Sequence, residues 1–327
     1  MSFRMSHNFL KLFSFTAVLL LAIGAAHSQQ TQPQSAQQNT IPDTGQIIVV
    51  QITGEVYVFN PGDSLRFVLK VGSQLAPGQM ISTGSKSSLM IAFSNGSTVT
   101  IGEESLVLVD EFKQKPFGEM FKISEISKEP SVSQTRLNLV RGELIADVKK
   151  LNKEEGSTFE VITPVGIAGI RGTTFLLAYT TTSSQNASGK TTPPDNTVFS
   201  LAMLDGSIEI GVPANPQATQ HNPVLVTQGN RLHIEHINAN ANGSEMLPQD
   251  PDALVPSSIP PDVLAKLNQQ VENMHAAVSD LSISATPGYP PPAAPEKVEP
   301  TPDSPKRSAW KLPPPDRHRP GRSTWDY

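Results

Sequence analysis

The chain has no cysteine. That excludes disulfides, thiolate metal sites and a thiol nucleophile. Aromatic residues are scarce at 6%, with only two tryptophans. A basic excess is also missing. Acidic residues outnumber lysine and arginine, 30 to 25, so no global field points to nucleic acid and no specific nucleic-acid partner is expected. There is no Gly-x-Ser-x-Gly elbow, no His-Glu-x-x-His and no P-loop. The adjacent acids Glu103-Glu104 and Asp110-Glu111 do not make a catalytic pair by spacing, because neighbours on a strand face opposite ways. His233 and Glu235 share a strand face, but His236 points away and no further ligand converges, so no metal is expected. No cofactor and no enzymatic activity are expected.

Long apolar runs are lacking too. The run at residues 12–26 is about 15 residues, short of the roughly 20 needed for a membrane span. With Arg4 and Lys11 before it and Ala26-His27-Ser28 after it, residues 1–28 read as a secretory signal cleaved near Ser28. The expected location is periplasmic or secreted; the alternative is anchorage in the inner membrane by an uncleaved signal. Residues 29–45 are Gln, Thr, Ser, Asn and Pro without periodicity, a disordered leader.

What is present, over residues 46–236, is short alternating runs between turn residues. Leu89-Met90-Ile91-Ala92-Phe93 ends at Asn95-Gly96, a hairpin signal. Gly-led turns followed by alternating strands recur at Gly54, Gly96, Gly142, Gly206 and Gly229, which reads equally as a degenerate repeat or as reuse of turn chemistry. No helix is expected here. The body is predicted to be all-β: a sandwich, a roll or a solenoid-like fold. Two stretches interrupt it. Residues 113–135 are charged with Phe117, Met120 and Phe121 embedded, and residues 180–196 read as a mobile loop.

The most apolar stretch is residues 159–179, punctuated by Gly166, Gly169 and Gly172. It is not a dinucleotide fingerprint, because Thr173-Thr174-Phe175-Leu176-Leu177 is strand-like. Close strand packing at the glycines is the reading. Arg171 is the charge inside it. It is expected to pair with an acid such as Glu143 or Asp205 or with strand-end carbonyls, or else to anchor an acidic partner.

Thr163-Pro164, then Arg171-Gly172-Thr173 and Phe175, resemble the core motif of the FecR domain, named for a periplasmic regulator of ferric-citrate transport. Gly54-Glu55-Val56, Thr83-Gly84, Leu139-Val140-Arg141-Gly142-Glu143 and Asp205-Gly206-Ser207 extend the resemblance in order over most of residues 46–212. The resemblance implies a FecR-like β domain whose motif residues serve the fold. The ferric-citrate regulators carry an anti-sigma segment before their membrane span. Only ten or so residues precede the apolar run here, so that segment is not expected.

Residues 237–261 read as a linker. Residues 262–283 read as an amphipathic helix with the stripe Leu264, Leu267, Val271, Met274, Val278 and Leu281. The stripe fits either a partner helix or the chain's own β-body. Residues 284–327 are Pro-rich and basic, a disordered tail that serves as a spacer or as a tether to an anionic surface. The function these features support is a protein–protein interaction module in envelope sensing or assembly, with an unidentified protein partner. The alternatives are an envelope glycan-binding module and, last, a hydrolase with a site of scattered acids.

Overall fold

Turn-delimited alternation becomes strand throughout the body. The computed structural model describes residues 45–182, 196–211, 223–235 and 254–285, with short pieces at 238–239, 245–246 and 296–298. The expected signal, the expected leader up to residue 44, most of the expected 180–196 loop, His236 and most of the tail lie outside the described residues.

In chain order the strands begin with β1 (Ile47–Thr53), β2 (Val56–Phe59), β3 (Arg66–Val68), β4 (Gln74–Leu75), β5 (Met80–Thr83), β6 (Ser88–Phe93) and β7 (Thr98–Ile101). Next come β8 (Leu106–Gln114), β9 (Phe117–Lys122), β10 (Ser133–Asp147), β11 (Thr158–Ile162), β12 (Ile167–Ile170), β13 (Thr174–Thr182) and β14 (Asn196–Asp205). The rest are β15 (Ser207–Gly211), β16 (Val224–Thr227), β17 (Asn230–Glu235), β18 (Asn238–Ala239), β19 (Glu245–Met246), β20 (Ser257–Ser258), helix α1 (Pro261–Ala277), β21 (Ser282–Ala285) and β22 (Glu296–Val298).

Two sheets form. The first runs β22-β3-β2-β5-β8-β10-β11-β12-β15-β16. The second runs β4-β1-β6-β7-β10-β13-β14-β17-β20. The 15-residue β10 belongs to both. Its first half pairs with β8 and β11, its second half with β7 and β13. The strand turns the corner at Gly142, whose φ is +97° and whose absent side chain would sit 2.4 Å from Ser105 Cα. Only glycine fits there.

The sheets enclose one core, built from alternate residues of each: Val107 and Val109, Leu137 and Leu139 from the first, Leu89 and Ile91, Phe175 and Leu177 from the second. Phe93 stands edge-on to Phe112 and Phe159, with centroids 5.0 and 6.2 Å apart. A second core lies on the far side of the second sheet. There Met90, Ala92, Ile145, Leu176 and Ala202 pack against Leu267, Val271, Met274 and Val278 of the helical segment. This explains the sequence pattern. Strand β6 is buried on both faces and reads as a continuous apolar run, whereas β8 has one uncovered face and alternates. The architecture is an all-β body with one helix, as expected; of the sandwich, roll and solenoid-like readings, two sheets around one core make it a sandwich.

Three expected boundaries move. The helix ends at Ala277, not 283, and Ser282–Ala285 pairs with β9 instead. Ser279-Asp280 favours a turn over a helix, and Ser282-Ile283-Ser284-Ala285 alternates like a strand. The charged 113–135 stretch is therefore not a loose insertion. Its β9 joins β21 in a ribbon, and Ile123 is buried beside the helix. The 237–261 linker is ordered at its end, where β20 pairs with β17 and Ile259 is buried. Among the described residues no helix is long and apolar enough to cross a membrane.

Candidate functional site

Thr163 and Arg171 do not meet. They bracket the four-residue β12, so about 13 Å of strand separates them. Thr163 locks the β11–β12 turn. Its N–H and its hydroxyl both donate to the Gly166 carbonyl at 2.9 Å, and the hydroxyl accepts from the Gly166 N–H at 3.1 Å. Pro164 is exposed at the tip. At the other end Gly172 has φ +83°, and a Cβ there would lie 2.8 Å from Lys150 Cα. Thr173 is buried and its carbonyl accepts from the Val148 N–H at 3.0 Å; Phe175 is wholly buried. Thr163, Gly172, Thr173 and Phe175 each have a packing or hydrogen-bonding reason.

Arg171 differs. It is exposed and forms no ion pair among the described residues; the expected pairing with Glu143 or Asp205 does not occur. The reason is position. Strand β12 ends at Ile170, which faces the core, so the next side chain projects into solvent beyond the sheet. Glu143 sits just past the Gly142 corner, paired with Ala178.

Other cations gather at this end. The 148–157 connection brings Lys150 against Gly172. Lys153 has its pKa lowered, first by partial desolvation, then by the charge of Arg171, with Glu209 opposing. Lys128 pairs with Lys150 as an isolated backbone bridge and is exposed like it.

A buried polar network fixes the loops that carry these cations. Glu129 is 4% exposed. It accepts from the Ser133 hydroxyl at 2.6 Å and from the Asn152 N–H. Its own N–H donates to the Lys150 carbonyl at 3.0 Å. Ser133 in turn accepts from the Asn95 amide at 3.0 Å, and its N–H donates to the Ser157 hydroxyl at 3.2 Å. The Lys149 N–H donates to the buried Ser97 hydroxyl at 3.2 Å. Desolvation raises the Glu129 pKa, and the donors from Asn152, Ser133 and Ser157 and the charge of Lys128 only partly offset it. A satisfied network of this kind holds its loops in one arrangement. Sequence reading did not find Glu129, Ser133, Asn152 or Ser157, because isolated polar residues carry no periodic signal. The run Lys149-Lys150, Lys153 between two strands was the visible hint.

Arg136 is satisfied within the fold. Arg136 Nε bonds Glu160 at 3.1 Å, and its Nη1 lies 3.3 Å from Glu111 and 3.7 Å from Asp110. Burial alone would lower the Arg136 pKa, but Glu160, Glu111 and Asp110 outweigh it and raise it. Asp110 and Glu111 therefore reach one partner, contrary to the strand-alternation expectation. A register shift between β8 and β10 at this point turns both acids to one side. A cleft of about 410 Å³ at the corner end is lined by Glu103, Glu104, Arg141, Glu143 and Lys266 among others. His233 Nε2 lies 3.1 Å from Glu235 Oε1, as their shared face implies. Among the described residues no group of three or more His, Asp and Glu is placed to hold a metal.

The helix stripe is not presented to a partner. Leu267, Val271, Met274 and Val278 are buried, and Leu264 and Leu281 pack at the margin of the same core. The outer face of the second sheet is apolar, and the stripe is what covers it.

Residues 79–209 match the family model described as FecR protein. No curated protein matches the chain. Two crystal structures of a candidate anti-sigma factor from Parabacteroides distasonis ATCC 8503 are similar at 12% identity with a TM-score of 0.31. The similarity spans 51% of this chain and 57% of that one. Over residues 79–209, this chain carries a FecR domain.

Proposed function

We propose that this is an exported, non-enzymatic FecR-domain protein that acts by binding a protein partner in the cell envelope, and that the Arg171 end of the sandwich is the surface it presents. The partner's contact is an acidic segment. One observation carries this reading: Arg171 is exposed and without an ion pair among the described residues, beside Lys150 and Lys153, on loops fixed by buried hydrogen bonds. An exposed guanidinium offers paired hydrogen bonds to a carboxylate. The fixed loops that carry Lys150 and Lys153 lower the ordering cost of binding. The apolar run after Arg4 supports export.

The test is capture of crosslinked partners from the native envelope by the full chain and by Arg171→Glu/Lys153→Glu. The reading expects the variant to lose a species that the wild-type chain captures, with an unchanged melting temperature. Equal capture by both would rule the surface out.

A further inference from the structure

The first sheet ends on a strand that arrives from far along the chain. Strand β3 pairs with β2 on one side, through Tyr57 opposite Val68 and Val58 opposite Phe67. On its other side lies β22, antiparallel, with Glu296 opposite Val68, Lys297 opposite Phe67 and Val298 opposite Arg66. We propose that the β3 edge is a strand-accepting interaction surface, and that the tail segment 296–298 is its built-in, displaceable occupant.

Three observations support this. The first is what the edge offers. Leu65, Val68 and Val71 are 40%, 37% and 65% exposed, three of the few large apolar side chains left in solvent among the described residues, and they cluster along this strand and its flanks. A bare edge with such a rim recruits other strands. The second is the occupant's sequence. Pro295 and Pro300 bracket Glu296-Lys297-Val298-Glu299. Proline gives no N–H to a ladder, so this short window is flanked by residues that cannot donate to one. A strand limited in this way closes the edge yet stays exchangeable. The third is charge. The register places acidic Glu296 opposite Val68, between Arg66 and Lys70 along β3. The occupant that fits is an extended segment adding antiparallel through its backbone, with an acidic residue at that register position. This surface is separate from the Arg171 end and does not depend on it.

The absence of cysteine makes the test clean. In the full chain, Val68→Cys/Glu296→Cys places two thiols on directly opposed residues, and Glu143→Cys/Ala178→Cys, opposed across β10 and β13, is the control pair. Mild oxidation is followed by non-reducing electrophoresis. The proposal expects an intramolecular disulfide in both, seen as a faster monomer band. It also expects a synthetic peptide of residues 293–302, in large excess before oxidation, to cut the Val68–Glu296 yield at least threefold. The same peptide with Lys297→Pro should leave the yield unchanged, and the control pair should respond to neither. A disulfide-linked dimer would assign the occupant to a second copy. Failure of the test pair alone would show that the tail does not dock. Insensitivity to both peptides would show that the segment is a fixed strand. Each of these three results overturns the proposal.

Discussion

His275 on the helix lies with Nε2 3.2 Å from Oδ2 of Asp147 at the end of β10. The same carboxylate accepts from Lys149 Nζ at 3.2 Å and, through Oδ1, from the Thr174 hydroxyl at 2.9 Å. One acid thus joins the helix, the second sheet and the start of the basic loop.

Burial alone would raise the Asp147 pKa, but Lys149, Thr174 and His275 outweigh it and hold it below 3.8. A depressed carboxylate stabilises the fold above its unfolded pKa and loses that contribution as pH falls through the folded value. Asp147→Asn is expected to cost about 2 kcal/mol at neutral pH and to flatten the acid limb of a denaturation-versus-pH profile. Glu129 has the opposite sign. Its folded pKa lies above 4.5, so its contribution is full below that value and is lost as pH rises through the folded pKa. Glu129→Gln should therefore remove a decline in stability above pH 4.5. A pair of profiles with the slopes reversed would contradict both assignments.

The motif glycines separate into two kinds. Gly172→Ala forces a left-handed residue against Lys150 backbone and is expected to cost at least about 2 kcal/mol. Gly169→Ala meets nothing within 4 Å and should change stability by less than about 0.5 kcal/mol. Urea denaturation of the two variants compares them directly.

The helix is expected to be part of the fold. Leu267 is fully buried between α1 and the second sheet, so Leu267→Ala should cost about 2–5 kcal/mol. Deleting residues 262–281 should expose Met90, Ile145 and Leu176 and give an aggregating protein, read by light scattering.

Arg171→Lys should leave stability within about 0.5 kcal/mol of wild type, since no ion pair among the described residues is lost. A larger drop in melting temperature would restore a structural role for this side chain.

Much of the fold was legible because alternation reports burial. Most strands and the Asn95-Gly96 turn carry local signals; Gly142, which reads as a turn between two strands, instead bends the single strand β10. The helix stripe was legible too, but its target was not, because a stripe shows that a face is buried and not against what. The β9–β21 pairing was hidden, since Phe117–Lys122 and Ser282–Ala285 are far apart in sequence and neither is strongly apolar. Arg171 was visible as an odd charge. Its freedom from Glu143 and Asp205 was not, because that depends on where β12 stops. Glu129 was invisible, because a buried acid looks like a surface one until its donors Ser133 and Asn152 are seen around it. Asp110 and Glu111 misled for a related reason: strand alternation fails at a bulge, and nothing in the sequence marks that one.

The central claim is that partner binding runs through the Arg171 end. The most direct measurement compares envelope crosslinking by the full chain, by Arg171→Glu/Lys153→Glu, and by Lys266→Glu at the corner end, with melting temperatures alongside. The account predicts that the crosslinked species disappears only in the double variant and that all three proteins melt together. The same species at wild-type yield in the double variant would contradict it.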